Sequence, residues 1–78
     1  MVVAGLNFSG EDELRFPLNV TVKIRHRAPF APAKLESLAG DSVRVVFDHP
    51  VAGVCPGQAA VFYDGDIVVG GGTIRGRL

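Results

Sequence analysis

One segment, Leu18 to Arg27, constrains the fold more than any other because its side chains alternate between apolar and polar. Successive residues of a β-strand point to opposite faces, so this alternation is typical of a half-buried strand and not of a helix. One face of this strand carries Leu18, Val20, Val22, Ile24 and His26. The other face carries Asn19, Thr21, Lys23, Arg25 and Arg27.

The rest of the chain is divided into short strand-like runs by residues that favour turns. The predicted runs are Val2–Phe8, Ala33–Leu38, Val43–Phe47, Gln58–Tyr63, Ile67–Val69 and Thr73–Arg75. Hairpin turns are predicted at residues 39–42, where Ala-Gly-Asp-Ser favours a turn, and at residues 64–66, where an Asp-Gly pair between apolar runs is a strong hairpin signal. No stretch of useful length has the periodicity of a helix.

Proline and glycine add two local predictions. Pro29 and Pro32 interrupt the chain and indicate an extended connection or an edge strand. The run Gly70–Gly72 indicates a β-bulge or a sharp barrel corner, because another strand-like run follows it. Glycine loops that hold phosphate usually precede a helix, so this run is not interpreted as a nucleotide site.

These short strands predict an all-β domain. Ten glycines and five prolines among 78 residues favour many turns over long helices. About six short strands at this spacing indicate a small antiparallel β-barrel, closed or partly open, since closure removes unpaired strand edges. A chain this short is expected to form one domain, so residues 1–78 are interpreted as a single barrel.

The charge balance and the cysteine count exclude several classes of protein. The chain has eight Lys and Arg residues and eight Asp and Glu residues. This balance excludes a polybasic nucleic-acid clamp but not a local basic patch. A single cysteine cannot form an internal disulfide, which favours a reducing compartment. No signal peptide is visible, and no apolar stretch approaches the roughly 20 residues that cross a bilayer. We therefore expect a cytoplasmic domain with no membrane partner.

Few side chains have catalytic or metal-binding potential. Cys55 has no local base, so it is interpreted as a small, buried or half-buried residue beside a turn. The sequence separation of His26 and His49 matches no metal motif; His26 is expected to pack on the apolar face, and His49 to be solvated. Asp64 and Asp66 flank a glycine, and turn chemistry explains them. No catalytic residue and no metal site is predicted.

The most informative polar feature is the basic stripe, defined as Lys23, Arg25 and Arg27. These cations project from one face of one strand over about 13 Å, a spacing that could follow the phosphates of a nucleic acid. The alternative is a solvated surface that pairs with acidic groups. Candidate acidic partners are Glu36, Asp48 and the run Glu11–Glu13. The pattern alone leaves both interpretations open.

Three segments together resemble a known family. Residues 22–27, V-K-I-R-H-R, resemble the V-K-I-R-Y-R strand of tRNA-specific 2-thiouridylases, and residues 43–50 are similar to that family's R-V-x-F-D-x-P strand. Residues 56–74 resemble its closing signature, P-G-Q-x-x-V-F-Y-x-G-D followed by G-G-G-x-I. The signature residues, interpreted as structural, are Pro56, Gly57, Gln58, Tyr63, Gly65, Asp66, Gly70, Gly71 and Gly72.

The resemblance implies a C-terminal barrel similar to the second domain of translation elongation factors, which helps to hold tRNA. It implies N-terminal and central domains in a longer parent enzyme, an ATP-dependent tRNA-uridine 2-sulfurtransferase that uses ATP and Mg. The family's catalytic cysteines lie outside the barrel. Cys55 stands where the family often has Thr, and His26 replaces its usual Tyr, so the family assigns neither residue a role here.

The function expected from the sequence is therefore a non-catalytic, tRNA-positioning barrel without a cofactor of its own. The basic stripe is the candidate RNA-binding site. A purely structural barrel that braces neighbouring domains without touching RNA is the alternative. A small independent enzyme is disfavoured, because the sequence offers no pair of catalytic groups.

Overall fold

The alternating segment at Leu18 forms a β-strand in the computed structural model, which describes residues 1–8, 16–24, 30–38, 40–51 and 54–76. These residues form strands and no helix, as predicted for an all-β domain. In chain order the strands are β1 (Val2–Phe8), β2 (Leu18–Ile24), β3 (Ala31–Ser37), β4 (Val43–Phe47), β5 (Ala59–Asp64) and β6 (Ile67–Gly76).

The six strands close into an antiparallel barrel. Their order around it is β1, β4, β3, β2, β5 and β6, with β6 pairing back to β1. The shortest pairing is between β1 and β4. It is extended by Met1, whose carbonyl oxygen accepts from the Val45 amide at 2.7 Å. Every strand has two neighbours, which confirms the closed form of the prediction.

The barrel interior is filled by the apolar face of each strand. On β2, Val20, Val22 and Ile24 are buried while Asn19 and Lys23 are exposed, as the alternation predicted. The buried core consists of Val3, Val20, Val22, Ile24, Ala33, Leu35, Val43, Val45, Ala60, Phe62 and Ile74. The predicted inward position of His26 lies outside the described residues.

The prediction that Pro32 interrupts the chain or marks an edge is wrong, because Pro32 lies inside β3 and opposite Thr21 of β2. Its carbonyl oxygen accepts from the Asp48 amide at 3.1 Å, just beyond the end of β4. The N–H that proline lacks would point to the same side as this carbonyl. The absence of an N–H on Pro32 therefore removes no hydrogen bond between β2 and β3. Pro29 lies outside the described residues.

The predicted runs Ile67–Val69 and Thr73–Arg75 are one strand, β6, which continues through Gly70–Gly72. The register shifts at this point: Phe62 faces Gly70 and Tyr63 faces Val68, so Val69 is the extra residue of a bulge. A second irregularity separates the pairs of Ala4 and Asn7 on the β1 side. The bulge therefore lies at Val69, immediately before the glycine run at which it was predicted.

Both predicted hairpins are present. Between β3 and β4, the Leu38 amide donates to the Ser42 carbonyl oxygen at 3.2 Å. Between β5 and β6, Asp64 pairs with Ile67 across a loop of Gly65 and Asp66. Gly65 has a backbone φ of 61°, an angle that residues with a Cβ atom rarely adopt.

Candidate functional site

Lys23 is the member of the basic stripe that the structure places. It lies near the end of β2 on the outer face of the barrel, with an exposed side chain. Across the strand pair it faces Val61 of β5, while Thr21 faces Tyr63. Arg25 and Arg27 lie outside the described residues, so their predicted placement beside Lys23 stays a prediction.

Two aromatic rings lie next to Lys23. The Lys23 Nζ atom is 5.3 Å from the centroid of the Phe30 ring, within the range of a cation–π contact. The Phe30 and Tyr63 rings meet edge to face, with centroids 5.1 Å apart and an angle of 79° between their planes. We call Lys23, Phe30 and Tyr63 the aromatic–lysine cluster. It joins β2, β5 and the residue that precedes β3.

Phe30 was not predicted from the sequence as a site residue. The signal available was its position between Pro29 and Pro32, in a stretch predicted to be a connection. A large aromatic side chain in a connection has no obvious place in the core. The structure leaves the Phe30 side chain 54% exposed.

The acidic partners proposed for the stripe are not seen at Lys23. Glu36 Oε1 accepts from the Arg44 guanidinium at 3.5 Å, between β3 and β4, in a pair whose side chains are both partly exposed. Asp48 is exposed beyond the end of β4. Within the described part of the chain, Lys23 forms no ion pair. The run Glu11–Glu13 lies outside that part.

The first signature residues form a turn fastened to β6. The Gln58 amide donates to the Cys55 carbonyl oxygen at 3.3 Å. Gly57 has a φ of 91°, so the turn is of type II with Pro56 and Gly57 at its centre. The Gly57 amide donates to the Ile74 carbonyl oxygen, and the Ile74 amide donates to the Gln58 carbonyl oxygen, both at 2.8 Å.

The three signature glycines lie where neighbouring strands approach β6 closely. A Cβ atom on Gly70 would be 2.5 Å from Phe8 Cδ1. One on Gly71 would be 2.5 Å from the Ala60 carbonyl oxygen, and one on Gly72 would be 2.6 Å from the Ala4 carbonyl oxygen. These distances leave no room for a side chain. Of the remaining signature residues, Tyr63 belongs to the cluster, while Gly65 and Asp66 form the β5–β6 loop.

The prediction that Cys55 is buried or half-buried is wrong, because the residue is exposed. It is the first residue of the Pro56–Gly57 turn, which lies between β4 and β5. His49 is exposed, as predicted. Among the residues placed by the structure, no three His, Cys, Asp or Glu side chains could together hold a metal ion. The same residues contain no helix long and apolar enough to cross a membrane.

The geometry agrees with similarities to known proteins. Residues 1–74 match the family described as the aminomethyltransferase β-barrel domain. The chain is 54% identical over 70 residues to the tRNA-specific 2-thiouridylase MnmA of Acetivibrio thermocellus, and these residues are 90% of this chain. It is 51% identical over 72 residues, 92% of this chain, to the protein of that name from Paramagnetospirillum magneticum. The corresponding protein of Buchnera aphidicola is 40% identical over all 78 residues.

The matched segment is a small part of each relative. It covers 20%, 19% and 21% of the three proteins, in that order, and it lies at their C-terminal end. The chain thus spans about one fifth of the length of the relatives it matches. Together with the closed barrel, these matches show that the chain belongs to the aminomethyltransferase β-barrel domain family and is similar to the C-terminal segment of tRNA-specific 2-thiouridylases.

Proposed function

We propose that this barrel binds tRNA and holds it for wobble-uridine 2-thiolation by other domains of the same cytoplasmic enzyme. The observation that carries the proposal is the exposed Lys23 beside an exposed aromatic ring, in a barrel whose relatives are named as tRNA-specific enzymes. Lysine and aromatic side chains are the groups with which proteins contact RNA phosphates and bases.

The proposed role is non-catalytic. Cys55 is exposed on a turn, and its thiol forms no hydrogen bond or ion pair with a described residue. The ATP and Mg that the parent enzyme would use are assigned to its N-terminal and central domains. The barrel's own contribution is then binding energy and orientation of the RNA.

Lys23 provides a phosphate contact in this proposal. Arg25 and Arg27 follow it at intervals of two residues, so continued alternation would put all three on the outer face. A row of cations along one strand suits the regular phosphates of an RNA backbone.

A second candidate is a barrel that only braces neighbouring domains. The observation that favours it is an apolar hairpin tip, where Ile67 is 69% exposed and Val68 is 46% exposed. Exposed apolar groups of this kind suit contact with another protein surface. This alternative predicts no affinity of the barrel itself for RNA.

The two candidates differ in a binding measurement on the 78-residue chain, after circular dichroism has shown it folded. We expect it to bind a tRNA transcript at low salt, with affinity that falls steeply as salt rises. Lys23→Ala should weaken binding and reduce the log–log salt slope by about 0.9, the value for one phosphate contact on a duplex.

Lys34→Ala is the matched control, because Lys34 is also an exposed lysine on the outer face. It faces Asn19, four residues from Lys23 along β2. The log–log salt slope of tRNA binding by Lys34→Ala should stay close to that of the unmodified chain. If the folded chain binds no tRNA at low salt, the bracing function is the better account. If Lys23→Ala changes tRNA affinity and salt slope no more than Lys34→Ala does, Lys23 is not a specific phosphate contact.

A further inference from the structure

We propose that Phe30 stacks on an unpaired nucleobase of the bound RNA, and that Tyr63 and Lys23 set the geometry of this base site. The inference rests on the proposed tRNA binding and names what the aromatic–lysine cluster contacts. Phe30 is the stacking surface, Tyr63 positions its ring, and Lys23 binds the phosphate of the stacked nucleotide.

Phe30 is a large apolar side chain that is exposed to solvent. The core residues of this barrel are at most 6% exposed, whereas Phe30 is 54% exposed. The other large exposed apolar side chains of the described residues are Val46, Ile67 and Val68. Those three are aliphatic, so within this group only Phe30 carries an aromatic ring. Base–aromatic stacking needs such a ring and tolerates any base.

The Phe30 ring is held against the barrel by Tyr63. Tyr63 lies on β5 opposite Thr21 of β2, so register between two strands fixes its backbone. Its ring meets that of Phe30 at 79°, with 5.1 Å between centroids, which is a favourable edge-to-face geometry. A ring whose orientation is already set loses less conformational freedom when a base stacks on it.

A positive charge lies close to the Phe30 ring. The Lys23 ammonium lies 5.3 Å from the Phe30 centroid. A nucleotide joins a flat base to an anionic phosphate through one sugar, so it needs an aromatic surface and a cation close together. Because Lys23 forms no ion pair with a described residue, its charge is available to a phosphate.

These features favour an unpaired base over a paired one. Inside a duplex both faces of a base are covered by its neighbours, so a protein ring can stack on a base in a loop, a bulge or a single-stranded end. The cluster also fits RNA better than an apolar protein segment, because a lysine lies directly over the ring.

The test uses the folded 78-residue chain and two RNA probes with the same stem. One is a hairpin with a seven-nucleotide unpaired loop, and the other is a blunt duplex. Phe30→Leu keeps an apolar side chain but removes the π face. We expect it to weaken hairpin binding about five-fold or more, leaving duplex affinity and the salt slope unchanged. Phe30→Tyr should keep the hairpin preference.

Val46→Ala is the control for shortening an exposed apolar side chain. Val46 is 43% exposed on β4, across the barrel from β5, and its variant should bind both probes as the unmodified chain does. A second readout needs no substitution. Tyr63 is the chain's one tyrosine and there is no tryptophan, so intrinsic emission reports on the cluster. The hairpin should change this emission more than the duplex at equal occupancy.

The outcomes separate this inference from the proposed function. If Phe30→Leu binds the hairpin as tightly as the unmodified chain, or loses both probes equally, Phe30 does not stack on an unpaired base. Equal Tyr63 emission changes with both probes would also overturn the inference. A flattened salt slope in Lys23→Ala would still support backbone binding. If the unmodified chain binds neither probe, both proposals fail.

Discussion

The Ala4 carbonyl oxygen lies 2.6 Å from the point that a Cβ atom on Gly72 would occupy. That Cβ atom on Gly72 would also be 2.8 Å from Cγ1 of Val3, a residue of the core. Gly72→Ala must therefore push β6 away from β1. Overpacking of this kind costs about 1–3 kcal/mol, and we expect a loss of that size in the free energy of unfolding measured by urea titration.

Thr73→Ala is the control for the Gly72 substitution. Thr73 is the next residue of β6 and its side chain is exposed, so shortening it should change the unfolding free energy by no more than about 0.5 kcal/mol. A Gly72→Ala chain as stable as Thr73→Ala would mean that β1 and β6 can separate without cost.

Gly57 should be sensitive for a different reason, because nothing would crowd a Cβ atom there. Its backbone φ of 91° is an angle that residues with a Cβ atom rarely adopt. Gly57→Ala should lower the unfolding free energy by about 1–2 kcal/mol. Gly57→Asn should cost less, because asparagine tolerates positive φ better than alanine. Equal losses in thermal or urea unfolding would contradict this backbone explanation.

The sequence predicted those parts of the fold that depend on local patterns. Alternation in β2 identified its buried face, and Asp-Gly identified the β5–β6 hairpin. The prediction for Pro32 was wrong because proline is usually confined to edge strands, since it has no N–H to donate to a neighbouring strand. That rule does not consider where the donor would point, and in this barrel it would point past the end of β4.

The aromatic–lysine cluster could not be predicted, because it depends on contacts between distant segments. Tyr63 reaches Phe30 only because Thr21 pairs with Tyr63, and no local pattern specifies that register. The exposure of Cys55 was missed for a related reason. A small residue before a turn can face the core or solvent, and the hydrogen bonds between the turn and Ile74 decide which.

Cys55→Ser should leave the barrel and its RNA affinity intact. The thiol is exposed, and the contact that Cys55 makes in the turn uses its backbone carbonyl, which serine retains. We expect a change in unfolding free energy within about 0.5 kcal/mol and an unchanged dissociation constant for tRNA. In the folded chain the thiol should react readily with a water-soluble disulfide reagent. Loss of tRNA binding with folding intact would contradict the interpretation of Cys55 as a residue with only a structural place in the turn.

Phe62 should be the most sensitive core position. Its side chain is fully buried, and its ring stacks at 28° on Phe8, with 6.5 Å between centroids. Phe62→Ala removes a whole ring and should cost about 3–5 kcal/mol. A domain of this length has a total stability of only about 4–12 kcal/mol, so the variant should be largely unfolded near physiological temperature.

Phe62→Leu separates lost packing from general intolerance at this site. Leucine refills much of the volume, so we expect a loss of about 1–2 kcal/mol and a folded barrel at 25 °C. Val46→Ala, which shortens an exposed side chain on β4, should remain within about 0.5 kcal/mol of the unmodified chain. Urea titration followed by circular dichroism gives all three values. A Phe62→Ala chain as stable as Val46→Ala would contradict the placement of this ring in the core.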